Sequence, residues 1–523
     1  MTALLRPGAR PSALAAAVRS LPATLAYLLA ALALLQTLPP GFFQSLHSGW
    51  LAFGAIGMAR YLWLLTNQIR AAIYLNGVFP RLRRTERAHP TPYPQRLFVV
   101  VPSYKEDTAI TERCVAALAR EISLLPSWVC VVFSVSGHNE IDLIHRLMRR
   151  HGRRERLDLV FMQQAHGKRV ALGQALRTVS RRYHDVYHWH EQAHSDLVVL
   201  MDGDTEVTPG VFRRTLGFFK TLPDLGALTT DEMGHMVTPE AARSAIGPWF
   251  DLKFAKRHRM MSSHALAGRV LTLTGRFSIF RADPILQPAF IRRIEHDVLN
   301  HWLFGRVRFL MGDDKSTWYD LLCQGWRMLY VPDVSVNCLE GRGGNFVRTS
   351  SQLMFRWYGN MARNNGRALG LGLQRMPPFI WLSLLDQRIS MWTSLLGPVT
   401  ALVGTYHYGS HILVAYMAWV VMTRTLFLWV LVPDGFVVRL LHLPLQLYDQ
   451  WIGSLLKIGA SFFIDRQHWA KAGHAQRQAG AQGWSLRTVL AWYRLVLAAL
   501  LFLFFSLLLT GVLQTPRSWH FVH

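Results

Sequence analysis

The chain has 523 residues, 51% of them hydrophobic and only 17% charged, yet its formal net charge is +25. Mean hydropathy is +0.16. These values argue against an ordinary soluble protein and for membrane helices beside a sizeable folded core. The excess charge is mostly arginine and is dispersed, with no recognition module, so no nucleic-acid partner is expected. Membrane lipids and diphosphates or another anionic ligand are the partners it suits. Cys114, Cys130, Cys323 and Cys338 form no C-x-x-C pair. Neither a zinc ribbon nor a disulfide framework is implied, which fits a reducing compartment.

In chain order, Leu21 to Leu38 is almost uninterrupted apolar sequence behind Arg6, Arg10 and Arg19. Ala31-Leu32-Ala33 offers a signal-peptidase-like site, but a second apolar run, Trp50 to Leu65, follows at once and favours a membrane hairpin. The basic stretch from Arg81 to Arg87 then places the following region in the cytoplasm. Residues 1–94 are therefore read as a transmembrane hairpin with a basic linker.

From 95 to 345 the pattern changes. Leu97–Val101, Val129–Val135, Leu157–Met162 and Leu197–Met201 are compact β runs, separated by the helix-like Ala109–Ser123 and Arg169–Arg182. Strands alternating with helices predict a mostly parallel α/β sheet, whose ligands bind beyond the carboxyl ends of the strands. The motifs sit at those ends. Asp202-Gly203-Asp204 leaves a strand with two carboxylates that suit Mg²⁺ or Mn²⁺, phosphate oxygens completing the shell. A surface turn produces the same spacing often, so its placement after an apolar strand is what gives it weight.

His190-Glu191-Gln-Ala-His194 matches the zinc-protease helix, with His190 and His194 as ligands and Glu191 as base. It lies in a polar connection, however, and competes with the motifs on either side. In Gly312-Asp313-Asp314, adjacent carboxylates rarely face the same way. Asp314 is the candidate general base and Asp313 its neighbour, at the start of the helical Lys315–Leu322. Trp318 and Tyr319 read equally as sugar-stacking platforms or core.

Gln352, Arg356 and Trp357 share a helical face, where arginine suits a diphosphate and tryptophan a sugar ring. A plain amphipathic helix at the membrane surface explains the location but not the combination. Residues 346–388 are read as interfacial helices and 389–523 as a C-terminal membrane region. Its runs are Ile389–Tyr406, Ile412–Val432 and Val489–Leu513, each near the ~20 residues a span needs. With the N-terminal pair this predicts about five spans. Phe436–Ile464 is apolar but broken by Arg439, His442, Pro444, Asp449 and Lys457, and is expected as an interfacial or re-entrant helix pair. Arg424 falls inside an apolar span, where a cation needs a polar path or a partner.

Taken in order, Pro102-x-Tyr-x-Glu106, Gly167-Lys168 with Ala171-Leu172, Asp202-x-Asp204, Gly312-Asp-Asp314 and Gln352-x-x-x-Arg356-Trp357 resemble the processive family-2 glycosyltransferases, which include cellulose, chitin, hyaluronan and mannuronan synthases. The resemblance runs from about Arg96 to Arg367. It implies a GT-A type nucleotide-sugar domain in which Asp204, assisted by Asp202, binds the metal and the donor diphosphate. It also implies Lys168 and Glu106 on the donor side, Asp314 as base, and Gln352, Arg356 and Trp357 closing over the donor. Gly275-Arg276 resembles the acceptor-side loop, with Trp318 behind the base. Two departures stand out: the Gln352-to-Arg356 spacing is one residue longer than in the family's motif, or Leu353 fills the Gln position, and Phe133-Ser-Val-Ser-Gly137 lacks the aspartate that usually follows the second strand near the nucleobase.

The stretches Gly312–Asp333, Arg356–Met361 and Asp386–Trp392 look most like the mannuronan synthases. That implies GDP-mannuronate as donor and β-1,4-mannuronan, the alginate precursor, as the growing polysaccharide. It further implies a bacterial inner-membrane location, a cyclic-di-GMP-binding partner subunit and an export complex. An anionic product would give Arg424 its polar path, a channel. Other readings remain: a UDP-sugar synthase of the cellulose, chitin or hyaluronan type, a non-processive enzyme acting on a lipid phosphate, the zinc metalloprotease, or an inactive transport scaffold.

Overall fold

The β-branched runs behave as strands must when both faces are covered. Leu97–Val101, Val129–Phe133 and Leu197–Met201 are all but inaccessible to solvent, the environment of a central parallel strand. The computed structural model describes residues 10–42, 49–88, 94–103, 106–151, 154–164, 167–186, 196–308, 312–341, 344–466 and 485–513. The His190–His194 motif lies outside the described residues, as do Tyr104 and Lys105.

The chain opens with helices α1 (Ala13–Gln36) and α2 (Gly49–Ile73); a π-turn at Tyr74–Val78 joins α2 to α3 (Phe79–Ala88). Next come β1 (Arg96–Pro102), α4 (Thr108–Ser123), β2 (Trp128–Val135), α5 (His138–His151), β3 (Leu157–Gln163), α6 (Lys168–Val186), β4 (Leu197–Met201) and β5 (Thr205–Val207). They are followed by α7 (Phe218–Thr221), β6 (Leu225–Met236), α8 (Pro239–Arg243), α9 (Ile246–Ala265), β7 (Phe277–Arg281), α10 (Ala282–Ile285) and α11 (Pro288–Glu295). A small hairpin, β8 (Val298–His301) and β9 (Gly305–Arg308), precedes α12 (Asp313–Cys323), β10 (Arg327–Glu340) and α13 (Phe346–Leu369). The described chain closes with α14 (Pro378–Tyr408), α15 (His411–Trp429), α16 (His442–Phe462) and α17 (Leu486–Leu509).

Eight strands form one sheet in the order β3-β2-β1-β4-β7-β6-β10-β5. β3, β2, β1 and β4 run parallel. β7 is antiparallel to both β4 and β6, while β10 returns parallel to β6. The register of β10 slips between Val331 and Ser335, at Pro332, which has no N–H for the ladder. Mostly parallel pairing is thus observed, and it brings the carboxyl ends of β1 and β4 side by side, Val100 opposite Leu200.

The sheet core does not stop at the α/β unit. It continues through Leu172, Trp318 and Leu321 into Ile380 and Leu384 of α14, so the α/β layers and that helix share one packed interior.

Among the described residues, three helices are long and apolar enough to cross a membrane: Ala13–Gln36, His411–Asp434 and Leu486–Leu509. Five were expected. The other two runs are helical, in α2 of 25 residues and α14 of 31, but they carry Arg60, Asn67, Gln68, Asp386 and Gln387 toward an internal cavity. Polar residues facing inward lower the mean hydropathy without exposing charge to lipid. Phe436–Ile464 is not a helix pair. It contains the single helix α16 of 21 residues, and Pro444 sits in its first turn, where no N–H is needed.

Candidate active site

Strand β4 ends at Met201 and delivers Asp202 and Asp204 at the carboxyl edge of the sheet. Three backbone bonds set the turn: Asp202 N–H to Arg276 O (3.3 Å), Thr205 N–H to Asp202 O (3.1 Å) and Leu339 N–H to Asp204 O (3.1 Å). The loop is therefore pinned to the segment before β7 and to strand β10. Gly203 has a steric reason, since a Cβ there would stand 3.0 Å from Cβ of Ser103.

Lys168 opens α6 and joins the two acidic motifs. Its Nζ lies 2.6 Å from Oδ1 of Asp202 and 3.1 Å from Oδ2 of Asp313. Burial would lower its pKa, but the two carboxylates outweigh that and hold it charged. Among the described residues no ammonium pairs with Asp204. Burial, reinforced by Asp202 and Glu106, pushes its pKa up to about 6, and Arg276 offsets only part. Glu106, Asp202 and Asp204 thus carry excess negative charge in one place, made of hard oxygen donors. That fits a divalent metal ion such as Mg²⁺ or Mn²⁺ with phosphate oxygens. Among the described residues no three metal-binding side chains stand close enough to hold a metal ion by themselves.

Gly312 supplies the turn into α12 at φ +83 and is pressed against Asn360 of α13, whose Cγ would be 2.8 Å from any added Cβ. Asp313 and Asp314 then lie in the first turn of α12, where the helix dipole favours carboxylates. Their environments differ. Burial alone would raise Asp313, but Lys168 and Arg169 bring it below the usual range. Asp314 is raised by burial and by Asp313, and its Oδ2 accepts a long 3.5 Å bond from Thr272. A carboxylate kept basic beside one kept ionised is the arrangement a general base requires.

One small cavity is lined by Pro102, Lys168, Asp202, Gly275, Asp313 and Asp314, among others. Arg276, next to Gly275, donates to Glu232 at 2.9 Å. Trp318 is not in the cavity. It is fully buried and its Nε1 donates to Val270 O at 2.6 Å, so its acceptor-platform reading gives way to core packing. Gln352, Arg356 and Trp357 sit on α13 and do not line this cavity either. Gln352 is exposed and Arg356 half-buried. Trp357 stacks nearly parallel on Trp249, centroids 5.7 Å apart at 9°.

Sequence reasoning missed the polar brace behind the dyad. Arg367 clamps Asp297 with bonds of 2.7 and 2.9 Å. Ser316 donates to the same carboxylate at 2.5 Å and accepts from Arg169 at 2.8 Å. No local spacing announces these partners, which come from four separate segments.

A second, larger cavity of about 1190 Å³ runs among α2, α9, α14, α15 and α16. Its charged lining is Arg60, Lys256, Arg259 and Arg424 against Asp386 and Asp449. Arg60 pairs with Asp386, Arg259 with Asp434, and Lys256 with Asp449. Among the described residues no carboxylate pairs with Arg424, whose guanidinium lies 5.4 Å over the Phe427 ring and whose buried Nε makes no hydrogen bond.

Residues 94–360 match the family model described as glycosyltransferase like family 2. The protein "Glycosyltransferase alg8" of Pseudomonas syringae pv. tomato is 35% identical over 464 residues, 88% of this chain and 92% of that protein. Its namesake in Azotobacter vinelandii is 37% identical, over 83% and 86%. Among solved structures, a mannosyltransferase from Pyrobaculum calidifontis in complex with GDP-Man and Mn²⁺ covers 77% of this chain and 99% of its own at 15% identity, with a TM-score of 0.42. A family model spanning half the sequence, and relatives matched almost end to end, make this chain a glycosyltransferase of family 2, GT-A in fold and flanked by helices able to span a membrane.

Proposed function

We propose that the chain polymerises mannuronate from GDP-mannuronate into β-1,4-mannuronan and passes the product through the membrane. The observation that carries this reading is the larger cavity. Its lining holds four cations against two carboxylates, with Arg424 free of any acidic partner among the described residues. A cation held in a membrane interior without a counter-charge suits an anionic polymer and would serve a neutral glucan poorly. Kinship with proteins called alg8 and the resemblance to mannuronan synthases point the same way.

Asp202 and Asp204 would hold Mg²⁺ or Mn²⁺, which when bound neutralises charge on the leaving diphosphate. Lys168 then turns from Asp202 toward the diphosphate, while Asp313 keeps it on station. Asp314 takes the proton from the acceptor hydroxyl, which attacks the anomeric carbon from the face opposite the leaving group, so the configuration inverts. Gly275 and Arg276 border the acceptor side. Arg356 stabilises charge on the departing nucleotide and Trp357 supports it.

The α/β unit lies in the cytoplasm, behind the basic helix α3, and the spans lie in the bacterial inner membrane. A cyclic-di-GMP-binding subunit and an export complex complete the assembly.

The test is a donor screen on membranes containing the enzyme, reading polymer. Incorporation from GDP-mannuronate and not from UDP-sugars is the expected result; incorporation from a UDP-sugar alone overturns the donor assignment. Asp314→Asn should cut polymer formation by ~10²–10⁴-fold.

A further inference from the structure

The chemistry of the proposed acceptor poses a problem that the side chains around Asp314 answer. In a β-1,4-linked hexuronate the nucleophile is O4, and the carboxylate stands on C5, the adjacent carbon. The base must therefore work with a second anion beside it. Like charges at that range oppose ionisation of the base and approach of the acceptor, unless a cation stands between them.

On the donor side the cations are occupied. Lys168 is held by Asp202 and Asp313, and Arg169 by Ile294 O and Ser316 Oγ. On the other side stand Lys315 and Arg257. Lys315 follows Asp314, donates to Leu271 O, and holds its ammonium 4.9 Å over the Trp318 ring. Arg257, on α9, comes within 3.3 Å of Oε1 of Glu232. That carboxylate is already taken by Arg276 at 2.9 Å. Both terminal nitrogens of Arg257 are buried without a hydrogen bond among the described residues. Buried guanidinium donors left unmade are costly, and a built site for an anion accounts for them.

The segment from Val270 to Arg276 ties these groups to the reaction centre. Val270 O holds Trp318, Leu271 O holds Lys315, Thr272 reaches Asp314, Gly275 borders Asp202, and Arg276 holds Glu232 beside Arg257. Burial pushes the Lys315 amine down to about 8; Asp314 opposes that shift and the charge of Arg257 adds to it. An anion between them would relieve both. His264, two turns along α9 from Arg257, lines the large cavity.

We propose that Lys315 and Arg257 form a subsite for the carboxylate of the acceptor's terminal sugar, so that the enzyme selects an anionic chain end. This rests on the uronate reading above.

The test compares two acceptors on full-length enzyme in membranes supplied with GDP-mannuronate: a mannuronate oligosaccharide and its carboxyl-reduced, neutral counterpart. The wild type should prefer the charged acceptor in kcat/KM. Arg257→Gln and Lys315→Met should each shrink that preference by about tenfold or more, the worth of a charge-assisted hydrogen bond. The loss should fall on KM for the charged acceptor, and Arg257→Lys should restore part of it. A merely structural role would lower both acceptors together and leave the ratio unchanged; that result in both variants overturns the subsite. If Arg257→Gln makes no product with either acceptor, Lys315→Met and Arg257→Lys decide by the same ratio. Failure of the wild type to use GDP-mannuronate with either acceptor would instead overturn the donor reading, and the subsite with it.

Discussion

At Asp204 a single side chain links charge, pH and the proposed metal site. Its pKa stands at about 6 because burial and the neighbouring Asp202 and Glu106 disfavour the ionised form. The folded state then binds a proton more tightly than the unfolded chain, so this group's contribution to stability is favourable at low pH and is lost as pH rises from the unfolded value toward 6. Asp204→Asn should flatten that part of the stability profile and, without added metal, raise the melting temperature near pH 7. Activity should run in the opposite direction. An ionised Asp204 is the better metal ligand, so polymer formation should rise through about pH 6 in the wild type, as initial rates against pH would show. Polymer formation by Asp204→Asn at the wild-type rate would refute its place in the metal site.

The helix α13 is an element whose importance was only half legible. The spacing of Gln352, Arg356 and Trp357 marked it, but as a donor clamp. The coordinates add a mechanical role further along. Asn360 packs on Gly312, and Arg367 grips Asp297, which in turn holds Ser316 one turn into α12. The helix thereby braces the start of α12, where the proposed base Asp314 stands. Removing one partner of a buried ion pair costs about 3–5 kcal/mol, so Asp297→Ala should lower the unfolding midpoint clearly and depress kcat more than donor KM. Gly312→Val combines a positive φ with a collision at Asn360, and should reduce kcat while leaving Lys168 and Asp202 in place. Melting curves and steady-state rates on the same preparations would separate the two effects.

At the scale of the whole molecule, the sheet and helix α14 share a core, and α9 contributes both a contact to Glu232 and part of the lining of the large cavity. Arg257 of α9 meets Glu232, and Lys256, Arg259 and His264 of the same helix line the cavity. A polymer leaving Asp314 would therefore meet cations on its way to Arg424. Arg424→Gln should shorten the product on a gel more than it slows the first transfers, because its effect grows with chain length. Unchanged product length would remove Arg424 from the path.

The sequence by itself determined the local and the periodic. Strands ending at Pro102, Val135 and Met201 were readable because doubly buried strands need continuous β-branched runs. Asp202-x-Asp204 and Gly312-Asp-Asp314 were readable because they follow an apolar strand and open a helix. The tertiary structure alone decided what depends on distant partners: Lys168 between two acidic motifs, Trp318 turned into the core, Trp357 stacked on Trp249, and two polar-faced helices where hydropathy suggested plain spans. Composition records which residues are present, whereas the packing of separated segments fixes which face each one shows and what charge it meets.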